Sequence, residues 1–79
     1  MLIRSQDKRA ITDDMKLYVR ENDFVRGKVT WEIRNAEQDL LATYSAEEKA
    51  IKVLDMILEE NQMSIHNNRV FQMPQDSEV

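Results

Sequence analysis

The sequence predicts an α+β domain in which a small, mainly antiparallel sheet is packed on one face by a single amphipathic helix. Three observations lead to this prediction. Residues 28–34 alternate apolar and polar side chains as a strand does, a helical period of apolar residues follows Tyr44, and a short apolar run occupies 70–73. A chain of 79 residues has room for one small domain, which we assign to residues 1–74, with 75–79 as a flexible polar tail.

The N-terminus begins with a short apolar segment. Residues 2–5 predict a strand, and the polar residues 6–9 that follow predict a turn. The last apolar run, 70–73, predicts a second short strand, which Pro74 restricts to the edge of a sheet because proline cannot donate to the ladder. We expect this strand to lie beside the N-terminal one, so that both ends of the domain join the sheet.

The segment 11–20 fits two interpretations. Thr12 and the acidic residues after it could cap a helix, whereas Leu17 and Val19 alternate with polar or aromatic neighbours as a strand would. Alternation and the β-branched and aromatic residues favour the strand. The polar residues 21–23 then predict a turn.

The clearest strand of the chain lies in its middle. Val29, Trp31 and Ile33 alternate with polar residues, and residues 40–44 predict the partner strand of a hairpin. Gly27, the single glycine, stands just before the first of these strands, where a positive φ or a bulge is natural.

The loop of this hairpin, residues 35–39, leaves two registers open. A four-residue turn places Trp31 opposite Tyr44 and Ile33 opposite Ala42, whereas a five-residue turn shifts the pairing by one and exchanges the two faces. Trp31 and Tyr44 are expected to anchor the core, as large aromatic side chains do in small domains.

The helix is predicted from about Ser45 to Gln62. Ser45 can accept a hydrogen bond from an amide of the first turn while Glu48 accepts one from the Ser45 amide, so a capping box defines the start. A wide apolar stripe is expected to lie on the sheet. Its members are Ala50, Ile51, Leu54, Ile57 and Leu58, with Val53 beside them.

Composition limits the possible classes of protein. The net charge of -4 is divided unevenly: residues 1–34 carry eight basic and six acidic residues, and residues 35–79 carry three and nine. Cysteine is absent, no apolar run approaches the roughly 18 residues of a membrane span, and the N-terminus lacks the pattern of a secretory signal. We therefore expect a cytoplasmic protein without disulfides.

Three segments carry a recognisable pattern: YSAEEKA at 44–50, VLDMI at 53–57 and VFQMP at 70–74. Together they resemble a group of small uncharacterised proteins from phages, prophages and genomes of low-GC Gram-positive bacteria, over roughly residues 28–79 and more weakly over residues 2–8. The resemblance implies a meander of strands, a capped helix and a last strand ending in Met-Pro. It also implies a phage-associated accessory or interaction role, and it carries no catalytic residues to this chain.

The polar face of the predicted helix is the first candidate site. Its acidic residues could contact a basic partner, and its one off-stripe methionine could supply an adaptable apolar contact. We therefore expect a non-enzymatic protein that binds an unidentified partner protein through this face or an open strand edge, with self-association as a structural alternative. The candidate residues are Glu48, Asp55, Met56, Glu59 and Glu60.

The alternative is weak nucleic-acid binding by N-terminal basic residues with aromatic residues among them. Phosphate contacts would set the affinity, which would then fall steeply with salt. An isoelectric point near 4.9 and many acidic neighbours oppose this interpretation. The candidate residues are Arg4, Lys16, Arg20, Lys28 and Arg34.

Enzymatic activity has the least support. His66 is the only histidine, it lies in a polar stretch, and no cysteine or second histidine accompanies it. Asp55 and Glu59 lie four residues apart on the helix and could share a cation, but no segment has the ligand spacing and central glycine of a calcium loop. We expect no catalytic residues, no metal and no cofactor.

Overall fold

The computed structural model of the protein describes residues 1–14, 16–25, 27–63 and 69–79, with the backbone alone at 23–25 and 63. His66 lies outside the described residues. One helix packs on a three-stranded antiparallel sheet, and a second three-stranded sheet is mixed, which confirms the α+β prediction. The elements are β1 (Leu2–Arg4), β2 (Ile11–Thr12), β3 (Leu17–Val25), β4 (Lys28–Asn35), β5 (Leu40–Tyr44), α1 (Glu47–Met63) and β6 (Val70–Gln72).

The smaller sheet brings the two ends of the domain together. Its order is β2-β1-β6, with Ile3 of β1 opposite Thr12 in an antiparallel pair and opposite Phe71 in a parallel pair. The prediction that the last strand returns beside the N-terminal strand is confirmed, and β6 lies at an edge as Pro74 requires. The predicted turn at 6–9 is also present, with Lys8 at a φ of 66°.

The strand interpretation of the ambiguous segment is confirmed for residues 11–12 and 17–20, which lie in different sheets, whereas residues 13, 14 and 16 are not in a strand. The turn predicted at 21–23 is wrong. β3 continues to Val25, with Glu21 opposite Trp31 and Asn22 opposite Thr30. The pairing shifts by one residue between Asn22 and Val25, as in a β-bulge. Pairing with β4 carries the strand through these polar residues, so their turn propensity does not end it. The reversal occurs at Gly27, whose φ is 73°.

The hairpin of β4 and β5 adopts the register of the four-residue turn. Trp31 lies opposite Tyr44 and Ile33 opposite Ala42, which decides between the two registers that the sequence left open. Next to the loop the pairing shifts again, with one extra residue, Leu41, in β5. Leu41 and Ala42 are both buried, because the bulge lets two successive side chains reach the core.

The core lies between α1 and the sheet of β3, β4 and β5. Tyr44 is buried within it, and its hydroxyl donates a hydrogen bond of 2.8 Å to the carbonyl oxygen of Pro74. Burial raises the pKa of this phenol, which keeps it a donor. The other large buried apolar side chains come from both sheets and the helix: Ile3, Ile33, Leu41, Val53, Ile57 and Met73.

The buried face of α1 is narrower than the apolar stripe of the sequence. Ala50, Val53 and Ile57 are buried, but Ile51 and Leu58 are 45% and 56% exposed, so their assignment to the core is wrong. These two side chains lie about 100° around the helix from the buried line, and a sheet of three strands does not extend far enough to cover them. The apolar period of the helix does not predict how wide the opposing sheet is, and so does not predict which apolar residues the sheet covers.

The N-terminus of α1 is held by a residue distant in sequence. The Ser45 amide and hydroxyl donate to Oδ1 of Asp76 at 2.8 and 3.0 Å, so Asp76 takes the acceptor role predicted for Glu48. The Lys49 ammonium reaches the Asp76 carbonyl oxygen at 2.9 Å. The hydrogen bond from the Ser45 amide is the main reason that the pKa of Asp76 is lowered.

Residues 75–79, which the sequence predicts as a flexible tail, are therefore tied to the domain. A short 3-10 turn spans Asp76–Glu78, and Val79 packs against the core. Among the described residues, no helix is long and apolar enough to cross a membrane.

Gln6, which follows β1, connects the two sheets because its backbone and side chain both form hydrogen bonds to the backbone of β5. Its amide N–H donates to the Leu41 carbonyl oxygen at 2.7 Å, and its side-chain oxygen accepts from the Thr43 amide at 3.0 Å. Its side-chain nitrogen donates to the carbonyl oxygens of Thr43 and Pro74 at 3.2 and 3.0 Å. The outer edge of β5 is therefore occupied from within the chain.

Candidate partner-binding surface

Three of the five candidate residues on the helix lie around one shallow depression. Met56, Glu59 and Glu60 line it together with Phe71 of β6, and we call these four residues the helix-end cleft. The Met56 side chain is 37% exposed, although methionine is usually buried, and the Phe71 side chain is partly buried below it. The cleft thus has an apolar floor at the surface of an otherwise polar helix face.

Two carboxylates flank this apolar floor. Glu59 is exposed, and Glu60 forms an ion pair of 3.1 Å with Arg69, in which both side chains are largely exposed. An exposed pair of this kind contributes about 0–1 kcal/mol and is easily exchanged for another cation. The cleft can therefore receive an apolar side chain while its rim contacts a basic one.

The other two candidate residues lie elsewhere on α1. Glu48 lines a separate depression with Lys49, Lys52 and Val79, where the two lysines offset its charge. Asp55 is exposed on the outer face of the helix. The structure thus separates the predicted set into a cleft of three residues and two residues outside it.

Phe71 is the residue of this cleft that sequence reasoning missed. It comes to the helix through the parallel pairing of β6 with β1, which joins segments nearly seventy positions apart. The available signal was its position in the alternating run 70–73, together with the expectation that this run returns to the sheet. That signal predicts a strand but not which helical residues it contacts.

The candidate basic residues are dispersed, with one partial exception. Arg20 and Arg34 lie on the same face of β3 and β4 as Tyr18, which is opposite Arg34 in the pairing. The other three lie apart: Arg4 is in β1 with its Nε donating to the Lys8 carbonyl oxygen, Lys16 precedes β3, and Lys28 begins β4 at the other end of the hairpin.

A buried carboxylate lies between these two arginines. Glu32 is 5% exposed, and its oxygens accept hydrogen bonds from Nε of Arg34 at 2.9 Å and from Nδ2 of Asn22 at 3.0 Å. The bond from Arg34 outweighs burial and lowers the pKa of Glu32. Arg34 also donates to the Gln38 carbonyl oxygen at 2.7 Å, so much of its hydrogen-bonding capacity is used inside the chain.

This buried carboxylate predicts a pH dependence of stability. The folded-state pKa of Glu32 lies below its ordinary value of 4.5, so ionised Glu32 stabilises the fold above that pH and loses this contribution as pH falls through the folded pKa. We expect Glu32→Gln to lower the free energy of unfolding by about 1–2 kcal/mol at pH 7 and to reduce its fall on acidification. Urea unfolding at a series of pH values checks both. An equal fall in variant and wild type would contradict the assignment.

The described residues offer no metal-binding cluster, since nowhere among them do three or more histidine, aspartate or glutamate side chains come together as ligands. Comparison with protein-family models, curated proteins and solved structures finds no match for the chain.

Proposed function

We propose that the protein is a non-enzymatic interaction domain that binds a basic segment of a partner protein at the helix-end cleft. The observation that carries this proposal is the exposed Met56 side chain above Phe71, with the carboxylates of Glu59 and Glu60 at its rim. Methionine adapts to varied apolar partners because it is unbranched and polarisable. The resemblance noted in the sequence suggests a phage-associated accessory role in the cytoplasm.

The chemistry of the cleft defines the partner segment that would fit. One apolar side chain would enter between Met56 and Phe71, and lysine or arginine residues beside it would approach Glu59 and Glu60. Residues 35–79 carry three basic against nine acidic residues. The negative electrostatic potential of this part of the chain would raise the association rate of a basic partner. Burial of the apolar side chain would then supply the slower dissociation.

The test uses two synthetic peptides of identical composition. One is an amphipathic helix with leucine on one face and lysine on the other, and the second is a scrambled sequence with the same residues. We expect the protein to prefer the amphipathic peptide in fluorescence anisotropy titrations. Equal binding of both peptides would reduce the interaction to net charge and would contradict a defined cleft.

Charge reversal at the rim should remove this preference. We expect Glu59→Lys with Glu60→Lys to weaken binding of the amphipathic peptide about thirtyfold, because each reversal replaces an attraction of roughly 0.5 kcal/mol by a repulsion of similar size. The matched control is Glu47→Lys with Glu48→Lys, which makes the same change of charge at exposed positions in the first turn of the helix. Circular dichroism confirms folding of both variants. Equal weakening in both would contradict the proposal.

A further inference from the structure

We propose that two copies of the chain associate through the outer edge of β3, with the β3 strands antiparallel and Val19 opposite Val19 of the second copy. This proposal does not depend on the helix-end cleft, because it uses the opposite flank of α1. It concerns the longest strand of the fold, nine residues, whose described pairing is with β4 alone. The other sheet edges are either occupied, as β5 is by Gln6, or only two to three residues long.

The direction of the β3 backbone follows from the hairpin beside it. The Asn35 amide donates to the Asp39 carbonyl oxygen at 3.3 Å, so the backbone of Asn35 is directed toward β5. Leu17 lies opposite Asn35 in the pairing of β3 with β4. In an antiparallel ladder such a position is a non-hydrogen-bonded pair, so the N–H and C=O of Leu17 point away from β4.

Backbone groups of a strand point alternately to its two sides, so every second residue of β3 points the same way as Leu17. The N–H and C=O groups of Leu17, Val19 and Glu21 all point to the outer edge, which makes six groups over about 14 Å. No other described residue forms a hydrogen bond to them. An edge of this length with unpaired groups is a template for another strand.

The charges along β3, together with the number of outward groups that are paired, favour one self-pairing. With Val19 at the centre, Leu17 lies opposite Glu21 of the second copy and Tyr18 opposite its Arg20, and the six outward groups of each copy are all paired. An arginine over a tyrosine ring is a favourable cation–π contact. Shifting the centre to Tyr18 places Lys16 opposite Arg20, and shifting it to Arg20 or Glu21 places each of these opposite itself. Like charges directly opposite destabilise a sheet.

The exposed apolar residues of α1 fit the same arrangement. Met56 and Lys49 lie on the flank of the helix that meets Phe71 and Asp76, so Ile51 and Leu58 lie on the flank nearer β3. Continuous pairing through β3 keeps both helices on one face of a six-stranded sheet. α1 contacts β3, β4 and β5 alike, so its axis lies over β4, and the two helix axes would be about 14 Å apart, which is three strand spacings. The exposed isoleucine and leucine side chains of the two helices would face each other above the paired β3 strands.

The oligomeric state is the first test, measured by sedimentation velocity over a range of protein concentrations. We expect twice the chain mass of 9.4 kDa at high concentration. Ile51→Lys with Leu58→Lys should give a monomer that remains folded, because both side chains are exposed. The matched control, Met56→Lys on the other flank, should remain a dimer. A monomeric wild type, or a dimer indifferent to the paired lysines, would overturn the proposal.

Single cysteines test the register, since the natural chain contains none. Opposed hydrogen-bonded residues have Cα atoms about 5.5 Å apart, within the range of a disulfide, so Val19→Cys should form a covalent dimer on mild oxidation. The control Glu21→Cys would place its two sulfurs more than about 10 Å apart and should not. Faster crosslinking at position 21 than at position 19 would refute the proposed register.

Discussion

Ile57→Ala is expected to lower the free energy of unfolding by about 2–5 kcal/mol, whereas Ile51→Ala on the same helix should change it by less than about 1 kcal/mol. The two substitutions remove the same atoms from the same residue type. They differ in burial, because Ile57 is 3% exposed in the core and Ile51 is 45% exposed. Urea unfolding in dilute solution, where copies do not associate, gives both values.

The size of the first effect matters for so short a chain. A domain of this length has a total stability of roughly 4–12 kcal/mol, so Ile57→Ala could leave an appreciable unfolded fraction. Equal losses in the two variants would show that both isoleucines are buried, as the apolar period of the sequence alone suggests. The orientation of α1 on the sheet described here would then be wrong.

Asn35→Ala is expected to cost about 1–3 kcal/mol, although asparagine in a predicted loop has no obvious structural role. Asn35 is fully buried, and its side-chain oxygen accepts hydrogen bonds from the amides of Glu37 and Asp39 at 3.1 and 2.9 Å. Alanine leaves these amides without that acceptor in the turn that sets the register of β4 and β5.

Two controls separate this role from general effects on the loop. Glu37→Ala removes an exposed side chain and should change stability by less than about 0.5 kcal/mol. Asn35→Asp keeps the acceptor but sets a carboxylate beside Asp39, where the asparagine nitrogen now donates at 3.1 Å. That variant should have a lower free energy of unfolding at neutral pH, where the two carboxylates repel each other. Its stability should recover as the pH falls and one carboxylate is protonated. Equal stability of Asn35→Ala and Glu37→Ala in urea unfolding would contradict the account.

Local patterns predicted the parts of the fold that depend on neighbours in sequence. The alternation of Trp31 and Ile33, with a short polar loop, was enough to predict the hairpin and to limit its register to two alternatives, between which the sequence did not decide. The turn expected at 21–23 failed because those polar residues pair with β4 through a bulge that no local propensity encodes. Asp76 could not be predicted as the acceptor at the helix start, since the contact joins positions 31 residues apart.

For the candidate site, too, the sequence predicted what depends on neighbouring residues and not what depends on tertiary contacts. The exposed face of a helix follows from its period, so Met56, Glu59 and Glu60 were identified from the sequence. Their grouping around Phe71 depends on where β6 returns, and the exposure of Ile51 depends on the width of the sheet beneath the helix. Both are tertiary properties that one sequence does not specify.

The most direct test of the central claim is site-specific photocrosslinking in nuclease-treated extract of a low-GC Gram-positive bacterium, the source that the sequence resemblance suggests. A photoreactive residue replaces Met56 in the helix-end cleft, and a control places it at Val29, which is also exposed but lies in β4. We predict a discrete crosslinked protein from position 56, absent from position 29 and lost when Glu59 and Glu60 are reversed to lysine. Equal crosslinking from both positions would contradict a protein-binding cleft. So would a parallel experiment in untreated extract in which position 56 captures nucleic acid and no protein.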